Sequence, residues 1–166
     1  MKIILIYFFS TIFVIFLYSL IDIRLFDAFS LAFTTISSGG FVPADNLSNI
    51  IESNLQIFVL SLSLLFPIFN FFLLHDVITR QFSFRNYQED VHLAILIIVL
   101  TLLFYFFIVA NVGFANLFFA ITSSISTSGI TTYSSNLDLS LFFILLTIVG
   151  GSLISTSSGF KYTRIY

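Results

Sequence analysis

The residues of this chain that could do chemistry are small and hydroxylic, and they occur in two matching runs. Residues 26–41 read FDAFSLAFTTISSGGF and residues 115–130 read ANLFFAITSSISTSGI. An ungapped offset of 89 positions sets Asp27 on Asn116, Phe29 on Phe118, Thr34 and Thr35 on Ser123 and Ser124, and Ile36 on Ile125. It also sets Ser37 on Ser126, Ser38 on Thr127, Gly40 on Gly129 and Phe41 on Ile130. Each run reads as a short helix followed by extended small residues, flanked by long apolar segments, which is how re-entrant pore segments are placed. Such a helix aims the negative end of its dipole into the membrane centre. Carbonyl oxygens converging on an axis beyond it can replace the water around a potassium-sized cation. Gly40 and Gly129 allow a backbone conformation or close approach that larger residues resist. Phe41 and Ile130 are placed to brace each turn against neighbouring helices. The hydroxyls of Ser37, Ser38, Ser126 and Thr127 would bond the backbone or line a site. Small residues also let membrane helices pack closely, and the residues alone leave both readings open.

The elements that must position these runs are membrane helices. The chain has 166 residues, 58% hydrophobic and 8% charged, with 24 phenylalanines, and its apolar runs are too long for buried strands. A net charge of −2 with no basic cluster argues against a nucleic-acid partner. The absence of cysteine excludes disulfide scaffolds, thiol catalysis and cysteine metal sites. Residues 2–21 carry a basic start and an apolar stretch without a small-x-small cleavage site, which predicts a retained first membrane helix over Ile3–Ile21. Asp27 is expected to cap a short helix over 28–36. A further helix is expected over Asn54–His75, kinked near Ser63 and Leu64 by Pro67. Asp76–His92 is a polar connection, Leu93–Ala110 another helix, and Asn111-Val112-Gly113 the opening of the second short helix. Thr131–Asn136 forms an exit, and Asp138 caps a last helix. From Gly150 to Gly159 that helix turns into glycines and hydroxyls, which predicts unwinding inside the membrane, lined by water or covered by protein.

Charge predicts orientation. Lys2, Arg80, Arg85, Lys161 and Arg164 fall on one side of four spans, with Arg24 opposite among Asp22, Asp27, Asp45, Glu52 and Asp138. The positive-inside rule puts both termini in the cytoplasm and an acidic, cation-concentrating mouth outside. His75, Asp76 and His92 lack metal-ligand spacing, and Lys161 and Arg164 are expected to anchor the inner end. Asn70, an amide within an apolar helix, needs a partner across helices, at a pore-helix backbone or in a pore. Phosphate-loop, nucleophile-elbow and paired-carboxylate signatures are absent, so no enzyme is expected.

Together, TTISSGGF at 34–41, SSISTSGIT at 123–131 and GGSLISTSSGFKYTR at 150–164 resemble the potassium-translocating subunits of the Trk/Ktr superfamily. Asn70-Phe71 with His75, and the Phe-Asp-Ala-Phe start of the first short helix, extend the likeness over nearly the whole chain. The resemblance implies an all-α polytopic membrane protein of two membrane-pore-membrane repeats, with four spanning helices, the last broken, and two re-entrant pore helices. Residues 1–78 would form the first repeat, 79–92 a cytoplasmic connection and 93–166 the second repeat, corresponding to the family's second and third. It implies that Ser38, Gly39, Gly40 and Phe41, with Thr127, Ser128, Gly129 and Ile130, are carbonyl filter segments. Gly150, Gly151, Ser152, Ser155, Thr156, Ser157, Ser158 and Gly159 would belong to a movable gating loop.

The implied function is potassium uptake across the cytoplasmic (inner) membrane by a partial subunit, with potassium as transported substrate and no cofactor or resident metal. Implied partners are the lipid bilayer, cytosolic nucleotide-binding regulatory subunits, and the two lacking repeats, supplied by a longer chain, a separate chain or a second copy in a homodimer. The alternative is a non-conducting scaffold or accessory subunit. Three departures stand out: Ser158 where the loop usually has glycine, Ile130 where an aromatic is common, and, most serious, the lack of counterparts to the family's first and fourth repeats.

Overall fold

The structure, a computed structural model, describes residues 2–79, 83, 87–108, 113–131 and 140–161. Arg80, Arg85, Arg164, Asn111-Val112, the exit at 132–136 and the Asp138 cap lie outside the described residues, as does the Lys2 side chain. The described elements are helical. Helix α1 (Lys2–Leu20) is apolar around its whole circumference and long enough to cross a bilayer. It closes where the Tyr18 carbonyl accepts from both Ile21 and Ile23 N–H, with Asp22 at φ +61°.

Helix α2 (Leu25–Ser37) starts earlier than expected, and Asp27 is not its cap. Arg24 occupies the N-cap position, and Asp27 lies in the first turn, where its Oδ2 accepts from Arg24 Nε at 2.9 Å. A carboxylate there faces the positive helix end, and the arginine supplies its counter-charge. After the small-residue run and a 3₁₀ turn (Leu47–Asn49), Ser53 and Gln56 form a reciprocal capping box that starts α3 (Asn54–Ser63).

The expected single helix over 54–75 is broken. The helical path is interrupted at Leu64, resumes as α4 (Leu65–Ile68), and then stops. Helix α5 (Phe71–Ile78) leaves at 105° to the preceding pair. Pro67 contributes the weaker interruption; the larger break falls at Phe69 and Asn70. Asn70 caps α5, its Oδ1 accepting from Phe72 N–H at 3.0 Å, and its own N–H donates to Asp90 Oδ1 at 2.9 Å. The amide thus serves a local helix start rather than a pore wall.

Helix α6 (Gln88–Leu103) begins at Gln88 rather than Leu93 and continues as a π-turn over Phe104–Ile108. Helix α7 (Phe114–Ile125) is the second short helix. Helix α8 (Ser140–Ile148) ends well before Lys161, so the last helix does unwind through the glycine-rich run. Two helical stretches, Ile3–Leu20 and Gln88–Phe106, are long and apolar enough to cross a membrane, and the bent pair makes a third if counted as one. This is a helical membrane protein.

Two apolar cores hold the elements together, and each borrows from the other half of the chain. The first gathers Val14, Tyr18, Leu31, Ile36, Leu60 and Leu64, with Phe119 and Ile130 reaching in from the second half. The second gathers Leu93, Ile97, Leu117, Ile121 and Ile125, with Ile68 reaching in from the first. Fully buried Tyr18 bonds Ser63 Oγ and reaches Thr35 Oγ1, fastening α1 to both α2 and α3.

Candidate ion-pathway site

The two short helices end alike. Ser38 and Thr127, equivalent at the 89-residue offset, both adopt left-handed backbone with φ +55° and +60°. Gly40 and Gly129 follow at φ +73° and +66°. The same alternation of left-handed residues therefore turns the chain out of α2 and out of α7. At the first, Ser38 N–H reaches Thr35 O and Gly39 N–H reaches Thr34 O at 2.9 Å. These bonds satisfy carbonyls that a helix end otherwise leaves open.

The two runs meet. A Cβ built on Gly40 would lie 2.2 Å from the Ser128 carbonyl oxygen, so only glycine permits that approach. A Cβ on Gly129 would meet nothing within 4 Å. Main-chain oxygen of the second run thus abuts the first.

The second run is braced by its own hydroxyls. Ser123 Oγ donates to Ile130 O at 2.6 Å, Ser126 Oγ to Ser123 O at 3.0 Å, and Ser128 Oγ to Ser123 O at 3.3 Å. One lone pair of the Ile130 carbonyl is therefore used internally. The first run has Gly39 where the second has Ser128, and there Thr34 Oγ1 and Ser38 Oγ are buried without a partner among the described residues. Of the two residues expected to brace the turns, Ile130 is 3% exposed and does so, whereas Phe41 is 82% exposed and does not.

The unwound segment from Gly150 to Phe160 doubles back on itself. Gly150 N–H donates to Phe160 O and Phe160 N–H to Ile148 O, both at 2.9 Å. It then takes up the groups that the break in the third helix sets free. Ser152 N–H donates to Ile68 O at 2.9 Å, Ser157 N–H to Pro67 O at 3.1 Å, and Phe71 N–H to Ile154 O at 3.1 Å. Gly151 sits so close to Ile68 O that a Cβ would lie 2.4 Å from it. Two further contacts reach the ends of α2 and α7: Thr156 Oγ1 donates to Ile36 O at 2.8 Å, and Ser158 donates through N–H and Oγ to Thr127 Oγ1 at 3.0 and 2.8 Å. The serine that departs from the family pattern is thus the one that touches the second run.

Two charged residues bond the unwound segment. Lys161, expected to anchor the inner end, donates through Nζ to Ser157 O at 2.7 Å, Ser155 Oγ at 3.0 Å and Ser155 O at 3.3 Å. Glu89 Oε2 accepts from Leu153 N–H at 3.2 Å. His75 Nδ1 pairs with Asp76 Oδ1 at 3.0 Å, and no group of metal-binding side chains occurs among the described residues. Sequence reasoning missed the Thr156–Ile36, Ser158–Thr127 and Asp90–Asn70 contacts. They join positions far apart in the chain, and no local pattern announces them.

This geometry defines a class: a helical membrane fold in which short helices end in paired left-handed turns beside an unwound helix. The chain has the Trk/Ktr-type fold. It is similar to the crystal structure of the potassium transporter TrkH from Vibrio parahaemolyticus, with a TM-score of 0.76 and 24% identity. The match covers 93% of this chain and 36% of that one, so the chain spans about a third of the length of the solved transporter. No protein-family model matches the chain, and no curated protein sequence matches it.

Proposed function

We propose that the chain is part of a potassium-conducting subunit, with Ser38–Phe41 and Thr127–Ile130 as filter segments and the run from Gly150 to Gly159 as the gate beneath them. The observation that carries this is the approach of Gly40 to the Ser128 carbonyl between two identically turned helix ends. A carbonyl site selects by geometry, without covalent chemistry. The similar solved structure is a potassium transporter, and the reading takes its ion from there. It places the chain in the cytoplasmic membrane with both termini inside, on the strength of the basic residues in the sequence. Cytosolic nucleotide-binding subunits would meet it on that inner side.

The test is potassium uptake by transport-deficient cells, or by vesicles, carrying the complete assembly. Gly40→Ser and Gly129→Ser should each change the ratio of potassium to sodium flux. An unchanged ratio in both would leave the scaffold role, in which the small residues only pack helices.

A further inference from the structure

The two interruptions in the helical path lie against each other. The stop after α4 leaves carbonyls at Pro67 and Ile68 and an N–H at Phe71, and the unwound segment takes up all three. Each interruption also has a tie to a third element, and both ties lead to the first turn of α6. Asp90 Oδ1 accepts from Asn70 N–H at 2.9 Å, and Glu89 Oε2 accepts from Leu153 N–H at 3.2 Å.

Carboxylates in a first turn are ordinarily accounted for by the positive end of the helix. That account is incomplete here. Tyr87 at the N-cap contributes no side-chain cap, yet the two carboxylates accept from backbone of other elements, 20 and 64 positions away along the chain. Asp90 is 3% exposed, and a charge so deeply buried is costly unless it is bonded. Its partner is the residue that caps α5, so the break fixes the start of α6. Tyr87 adds to this, its hydroxyl donating to Asp76 Oδ2 at 2.5 Å in the last turn of α5. The other tie differs in kind. Glu89 is half-buried and Leu153 is exposed, so their bond can be let go without opening the core.

We infer that Glu89 is a positioning residue for the unwound segment. It is the releasable tie that keeps this segment at rest against the ends of α2 and α7, and Asp90 is the fixed anchor that keeps Glu89 within reach. Lys161 grips the same stretch through the carbonyls of Ser155 and Ser157, so an acid holds its N–H and a base its C=O groups. Releasing Glu89 removes a restraint without touching either small-residue run. A segment that obstructs an ion path then yields more often, and flux rises rather than falls. That effect on flux rests on the pore reading above, and the test separates the two.

The wild-type chain, Glu89→Ala and Glu89→Gln would be compared by hydrogen exchange in lipid nanodiscs and by potassium uptake in the complete assembly. Exchange at the Leu153 amide should quicken about tenfold in Glu89→Ala. It should stay near the wild-type rate in Glu89→Gln, whose side-chain oxygen still accepts. The Asn70 amide should be unchanged in both, because Asp90 is intact. Potassium uptake should rise severalfold in Glu89→Ala with the potassium-to-sodium ratio unaltered, and return to the wild-type level in Glu89→Gln. An unchanged Leu153 amide in Glu89→Ala overturns the inference. So does a conducting assembly whose uptake falls or stays level in that variant. A wild-type assembly that passes no potassium removes the pore reading instead, and a quickened Leu153 amide rescued by glutamine then still upholds the tie.

Discussion

At Gly40 an added methyl group would have to displace a neighbouring main-chain oxygen, while at Gly129 it would enter empty space. Both positions share a left-handed backbone, whose cost for an L-residue is about 1–2 kcal/mol. Gly129→Ala should therefore lower stability by about that amount, and Gly40→Ala by distinctly more. Thermal unfolding in detergent measures both, and equal losses would mean that the close approach is not made. A similar ranking applies where the unwound segment touches the second run. Thr127 Oγ1 accepts two hydrogen bonds from Ser158, of which the hydroxyl supplies one. At about 0.5–1.5 kcal/mol per bond, Thr127→Val should destabilise more than Ser158→Ala. Hydrogen exchange at the Ser158 amide should quicken in the first variant and stay slow in the second; equal exchange in both would remove this contact from the account.

The elements show what was legible beforehand and what was not. Repetition of TTISSGG as SSISTSG announced two short helices followed by similar left-handed turns, because similar residues meet a similar local problem. The unwinding after Ile148 was legible too, since paired glycines and four successive small polar residues followed by Gly159 hold a helix poorly. The kink expected near Ser63 and Leu64 is met by the interruption at Leu64, but a second and larger break at Phe69 and Asn70 was missed. Pro67 drew attention to the residues before it, yet the sharper turn comes from Asn70, whose capping bond and contact with Asp90 are invisible in a linear reading. Asp27 was misread as the cap because the helix begins earlier, at Leu25, which leaves Asp27 in its first turn. It follows that Pro67→Ala should leave the 105° bend in place, and Asn70→Ala should lose about 0.5–2 kcal/mol of cap and widen the angle. Spin labels at Phe58 and Val77 would report the distance; straightening by the proline variant alone would reverse this assignment.

For the molecule as a whole, the exchange of side chains between cores matters most. Phe119 and Ile130 fill the first core from the second half, and Ile68 fills the second from the first. Phe119→Ala should therefore cost about 3–5 kcal/mol and lower a single unfolding transition rather than split it in two. Two separate transitions would show that the halves fold independently. The unwound segment belongs to the same web, tied to the ends of α2, α4 and α7. Its Lys161 has a further consequence that is electrical. The Lys161 ammonium is fastened to the carbonyls of Ser155 and Ser157, so on the proposed gating role a displacement of that segment across the membrane would carry charge with it. A charge crossing the whole field exchanges about 2.3 kcal/mol per 100 mV, and one crossing part of it exchanges a proportional share. Flux through the assembled protein should accordingly change with voltage beyond the driving force on the ion, and Lys161→Met should flatten that excess.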